Sequence, residues 1–134
     1  MKRQKIFTLI HLVILLVLEI IPYGAVCNFA DEGGESIRKT YSYFSLVPYG
    51  YANFGPFVTA VLTVVLFVLC TVNLIKQTAP VTKLTSALSA FALFFSVLPL
   101  TLGFSYWSVA GVCITAILVR VTMLKVTVVE PYKV

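Results

Sequence analysis

Long apolar runs separated by brief charged punctuation make up most of the chain. From Leu84 to Val119 no residue is charged, with Lys83 before the run and Arg120 after it. One helix over that stretch would reach roughly 54 Å, nearly twice a bilayer's roughly 30 Å hydrocarbon core, so the run must turn back on itself. Pro99, Gly103 and Ser105 mark the reversal. Tyr106 and Trp107 beside it are residue types that favour the membrane–water boundary. A further run, Phe57 to Ile75, is closed by Lys76, and another, Ile6 to Ile21, follows Lys2, Arg3 and Lys5. Gln77 to Lys83, with Pro80, reads as a short turn. The pattern predicts an all-α integral membrane protein, a four-transmembrane-helix bundle built from two antiparallel helical hairpins. It forms one domain over 1–134, with spans at 6–23, 57–75, 84–102 and 105–124 and an outer loop over 24–56.

That loop has two parts. Asn28 to Lys39 carries Asp31, Glu32, Glu35, Arg38 and Lys39 around Gly33 and Gly34, which reads as a solvated loop. Thr40 to Gly55 is uncharged and aromatic, with Tyr41, Tyr43, Phe44, Tyr49, Tyr51 and Phe54 interrupted by Pro48 and Gly50. Rings with polar tips suit either an interfacial belt or a lid over an outer cavity.

Composition agrees with the pattern. The 134 residues are 60% hydrophobic and 11% charged, against about 25% charged in soluble domains. The net charge of +5 is explained by topology rather than by nucleic acid, because the basic residues sit at the ends of apolar runs. Lys2, Arg3, Lys5, Lys76, Lys83, Arg120, Lys125 and Lys133 fall on one side, and only Arg38 and Lys39 on the other. The positive-inside bias places both termini in the cytoplasm of a cell-membrane protein. A signal peptide is the competing reading of the N terminus. Glu19 would interrupt a signal core, and Val26 stands where a lipobox before Cys27 has a small residue, so a retained first span is expected. Cys27, Cys70 and Cys113 lie at three depths, too far apart for an intrachain disulfide. Cys27 alone is on the outer side, as an inert thiol or an intermolecular bridge. The compact chain and short loops fit a bacterial source.

Helical spacing selects inward faces. Thr59, Thr63, Cys70 and Asn73 share an arc of about 80 degrees, as do Thr85, Ser89, Ala92, Ser96, Pro99 and Gly103. Ser108, Gly111 and Thr115 share a side of the last span. Stripes of small and hydroxyl residues are what membrane helices pack together. In the first span Thr8, His11 and Glu19 also share an arc of about 80 degrees. Ionisable groups inside a span face protein or water, and His11 is expected to be neutral. Glu19 would bond Ser105 or Tyr106 as a neutral acid, reach Arg38 or Lys39, or bind a proton or cation.

No H-E-x-x-H, G-x-S-x-G, C-x-x-C or phosphate loop is present, so neither an enzyme, a cofactor nor a metal site is expected. His11 and Glu19 would be about 12 Å apart along a helix, too far to share a proton. The leading expectation is a non-catalytic bundle in the lipid bilayer, acting as an interaction or accessory subunit in a homo-oligomer or a larger membrane complex. The second is a small proton- or cation-coupled transporter using Glu19. A lone glutamate in the first of four short helices is similar to the arrangement in small multidrug-resistance exporters. The resemblance implies a homodimer in which that carboxylate couples proton and drug binding. It covers helix count and Glu19 alone, and the long first outer loop departs from it.

Overall fold

The computed structural model of the protein describes residues 2–50, 53–76 and 79–129. In order these form α1 (Lys2–Ile20), β1 (Ala25–Ala30), β2 (Ser36–Tyr41), the single turn α2 (Val47–Gly50), α3 (Gly55–Ile75), α4 (Ala79–Val97) and α5 (Val109–Val129). Two 3-10 turns, Leu98–Leu102 and Phe104–Tyr106, join α4 to α5. Each long helix packs against two others: α1 against α3 and α5, and α4 against α3 and α5. Among the described residues, Gly55–Ile75 and Pro80–Leu102 are long and apolar enough to cross a membrane, and Val109–Leu124 is a shorter apolar helix.

Buried positions advance in alternating four- and three-residue steps. On α1 they are Thr8, Leu12, Leu15 and Glu19; on α3, Thr59, Thr63, Leu66, Cys70 and Asn73; on α4, Thr85, Ser89, Ala92 and Ser96. On α5 the run is Ile114, Leu118 and Val121. A repeat of about 3.5 residues keeps one seam facing its neighbours and encodes a left-handed bundle. Hydroxyls on these seams are satisfied largely within their own helices: Thr8 donates to the Gln4 carbonyl, Thr59 to Gly55 and Thr115 to Gly111. Such back-bonding lets a polar side chain sit in an apolar seam. Bonds between helices among the described residues include Lys5 to the Asn73 carbonyl, Thr63 to Glu19, Asn73 to Thr82, and the hydroxyl pair Ser96 and Thr115.

The helix boundaries differ from the sequence reading. Residues 79–83 belong to α4 rather than to a turn, because Pro80 in a first turn gives up an amide that has no intrahelical acceptor anyway. Residues 105–108 precede α5, whose N-terminal cap is Ser108: its Oγ accepts from the Gly111 N–H at 2.9 Å. Gly103, at a φ of 126°, takes the left-handed bend between the two 3-10 turns.

Residues 24–56 correct the all-α expectation. Across Asn28–Lys39, the stretch taken for a solvated loop, and a few residues beyond each end, β1 and β2 pair antiparallel, from Ala25 opposite Tyr41 to Ala30 opposite Ser36. Asp31 N–H donates to the Glu35 carbonyl, and Gly34 N–H donates to the Asp31 carbonyl, with Gly34 at a φ of 80°. This is a three-residue hairpin connection ending in a left-handed bulge residue. The charges at Glu35, Arg38 and Lys39 did not prevent a strand, because Ser36 to Lys39 are exposed.

At the end of the bundle nearest the hairpin α3 and α4 approach closely. A Cβ on Gly55 would stand 2.7 Å from the Phe95 carbonyl oxygen and 3.1 Å from Pro99 Cδ. That oxygen is backbone, so relief requires the helices to separate. Gly55→Ala is expected to lower stability in detergent by about 1–3 kcal/mol. Gly33→Ala, where nothing lies within 4 Å, should stay within about 0.5 kcal/mol. Equal thermal unfolding of the two variants would show that the contact is not tight.

Candidate functional site

Glu19 sits in the last turn of α1 and is fully buried. Thr63 Oγ1 donates to Glu19 Oε1 at 2.8 Å, and the same oxygen lies 2.9 Å from the Thr59 carbonyl. One hydroxyl carries one hydrogen, so it serves one of these acceptors at a time. Glu19 Oε2 has no hydrogen-bond partner among the described residues.

The chain closes over this layer with Tyr43. Its N–H donates to the Glu19 carbonyl at 2.9 Å, one of the carbonyls a helix end leaves without an intrahelical donor. Its ring is buried, and a Cβ on Gly24 would meet ring carbons at 2.7 and 2.9 Å. Its hydroxyl lies beside Gly111, 3.2 Å from where a Cβ would stand. Burial holds the Tyr43 phenol above its ordinary pKa. Two further bonds seat the hairpin: Ser108 Oγ donates to the Gly24 carbonyl, and Asn53 Nδ2 donates to the Val26 carbonyl at 2.9 Å.

Several expected partners lie elsewhere. Glu19 bonds Thr63 and not Ser105, Tyr106, Arg38 or Lys39. Ser105 accepts instead from Asn28, Arg38 donates to the Trp107 carbonyl, and Lys39 lies over the Phe29 ring. Thr8 is buried with Glu19 on the α1 seam, but His11 is only partly buried and its Nδ1 donates to the Phe7 carbonyl at 2.8 Å. Leu12 and Leu15 hold the seam between Thr8 and Glu19. Arg120 stacks over Phe7 at 5.8 Å. Of the small and hydroxyl residues, Thr59, Thr63, Asn73, Ser89, Ser96, Ser108 and Gly111 are buried and Thr115 is partly buried.

The aromatic segment divides. Tyr43 is buried, Tyr41 and Phe44 are partly buried against the core, and Phe54 is exposed. Tyr49 lies in α2, and Tyr51 falls outside the described residues. Cys27 is buried rather than open to an outer partner, and burial raises its thiol pKa, which makes it a slow nucleophile. Gly24, Val26, Asn53 and Gly55 were not singled out by residue type. The Gly-Pro pair at Gly55 and Pro56 was the one local signal available among them.

Chemically this is a single carboxyl beneath a phenol lid. Among the described residues no three His, Cys, Asp or Glu side chains gather where they would hold a metal. The chain matches no family model, no curated protein and no solved structure, so the reading of the site rests on its own residues.

Proposed function

We propose that the chain is a four-span membrane protein with both termini in the cytoplasm, serving as a non-catalytic accessory or interaction subunit that presents its hairpin outside. The observation that carries this reading is the closure of the bundle by Tyr43, whose ring and backbone seal the Glu19 layer from the hairpin side. A solute pathway needs an opening there, whereas a scaffold needs a packed end. In this reading α1 and α5 join the two clearly apolar helices as spans, with Lys2, Arg3 and Lys5 at the inner boundary. The alternative is a proton- or cation-coupled carrier, and one observation favours it: Glu19 Oε2 is buried without a partner.

Both parts are open to test. Single cysteines at Glu32 and Arg3 should separate in intact cells. A membrane-impermeant maleimide should label Glu32→Cys at once and Arg3→Cys only after permeabilisation; the reverse order would overturn the orientation. Purified protein in liposomes should pass no more protons down a pH gradient than empty liposomes do. A flux that disappears in Glu19→Gln would move the carrier ahead.

A further inference from the structure

The two-stranded sheet has one covered edge and one open edge. β1 meets α2 and the 3-10 turn Phe104–Tyr106, and along its outer side the Val26 carbonyl accepts from Asn53 Nδ2 at 2.9 Å. β2 has nothing comparable, and Ser36, Ile37, Arg38 and Lys39 are all exposed. The bond from Asp31 N–H to the Glu35 carbonyl sets the phase of the ladder, because hydrogen-bonded pairs alternate in an antiparallel sheet. Residues 35, 37, 39 and 41 turn their backbone groups toward β1. The N–H and C=O groups of Ser36, Arg38 and Thr40 therefore point outward, away from β1. An open edge of this kind is a template for another strand.

We propose that the occupant is a second copy of this chain, with the β2 edges paired antiparallel about a two-fold axis at Ile37. This deepens the accessory-subunit reading and rests on it, since it names the partner the outer hairpin meets. The register follows from the outward groups and the charges. Two-fold pairing centred on Arg38 sets like guanidinium groups directly opposite, and pairing centred on Lys39 does the same with ammonium groups; both are unfavourable. Pairing centred on Ser36 leaves Glu35 facing the partner's Ile37. Pairing centred on Ile37 places Glu35 opposite the partner's Lys39 twice, once on each side of the axis. It also lets Ser36 and Arg38 exchange backbone bonds with the partner's Arg38 and Ser36. Ile37, 43% exposed, then meets its own copy, and Phe29 lies opposite Ile37 on the same face of each hairpin.

Symmetry and closure are consistent with this. On the opposite face Asn28 and Arg38 both reach the connection between α4 and α5, so that face is turned toward the bundle. An axis normal to the sheet then runs toward the bundle, as a two-fold between two copies in one membrane must. Because the β1 edge is covered, pairing stops at two copies instead of growing into a fibre.

Cross-linking reads the register directly. In a chain with its native cysteines replaced by serine, Ile37→Cys is expected to form a disulfide-linked dimer under copper–phenanthroline in air. Residues facing each other in a non-hydrogen-bonded pair have Cα atoms about 4.5 Å apart, within disulfide reach. Ser36→Cys and Arg38→Cys face different partner positions, so their own copies stand diagonally, about 7–8 Å away, and should cross-link poorly. On the otherwise native chain, Glu35→Lys and Lys39→Glu should each raise the dimer dissociation constant roughly tenfold, with the double exchange restoring it. Equal cross-linking at all three sites, a monomer by native mass measurement, or a double exchange no better than either single change overturns the pairing. The side of the membrane is read separately, from maleimide labelling of Glu32→Cys. Outside labelling there without an Ile37→Cys dimer sinks the pairing and leaves the membrane reading standing; an Ile37→Cys dimer with Glu32→Cys labelled only after permeabilisation does the reverse.

Discussion

Tyr43→Ala is expected to unfold with about 3–5 kcal/mol less free energy than the native chain, as removal of a fully buried aromatic ring does. Tyr43 is among the largest fully buried side chains, and the pocket that would be left is bounded by Gly24 and Gly111, which have no side chains with which to fill it. The cavity cost therefore adds to the lost transfer energy instead of being relieved by collapse. Tyr43→Phe keeps the ring and should lose only about 1 kcal/mol. The Ala variant also removes the lid over Glu19, so hydrogen exchange at the Thr63 amide and its neighbours should accelerate. Denaturant unfolding in mild detergent measures the first effect and exchange measures the second. If Tyr43→Ala were as stable as Tyr43→Phe, the closed end would contribute little and the case against a pathway there would weaken.

The same residue shows what was legible in the sequence and what was not. Helix number and seam chemistry follow from local spacing, so Thr59, Thr63, Asn73, Ser89 and Ser96 could be placed on inward arcs without knowing their neighbours. The α1 seam was harder. Thr8 and Glu19 share it, but their polarity drew in His11, while Leu12 and Leu15, which flank the pair by about 20 degrees on either side, looked like any other lipid-facing leucines. Tyr43 was visible as an aromatic in an outer segment, but its descent into the bundle depends on contacts with Gly24 and Gly111, both distant in sequence. The hairpin was missed for a different reason. Burial along it does not alternate, since Ala25, Val26 and Cys27 are all buried and Ser36 to Lys39 are all exposed, so neither strand carries a period-two pattern of apolar and polar positions. The turn residues Asp31, Gly33 and Gly34 were the available signal, and they specify a hairpin as readily as a loop.

Thr63→Val and Glu19→Leu, two changes at one contact, are expected to differ in sign. Thr63→Val removes the sole donor to a fully buried carboxyl and leaves both of its oxygens without a partner among the described residues, which should destabilise by about 1–3 kcal/mol. Glu19→Leu removes the polar group itself. Thr63 then keeps its bond to the Thr59 carbonyl, Tyr43 keeps its bond to the backbone carbonyl of residue 19, and an apolar side chain joins Leu12 and Leu15 on the seam. That variant should be as stable as the native chain or more so, and the double variant should resemble it, giving a coupling of about 1–3 kcal/mol in a double-mutant cycle. Thermal or denaturant unfolding of the four proteins in one detergent measures all of it. A neutral or stabilising Glu19→Leu would mean that the carboxyl lowers stability where it sits and does not hold α1 to α3, and the proton-flux measurement then decides whether the bundle uses it. A strongly destabilising Glu19→Leu would mean that the carboxyl holds α1 to α3, and the search for function would then belong to the outer hairpin and its partner.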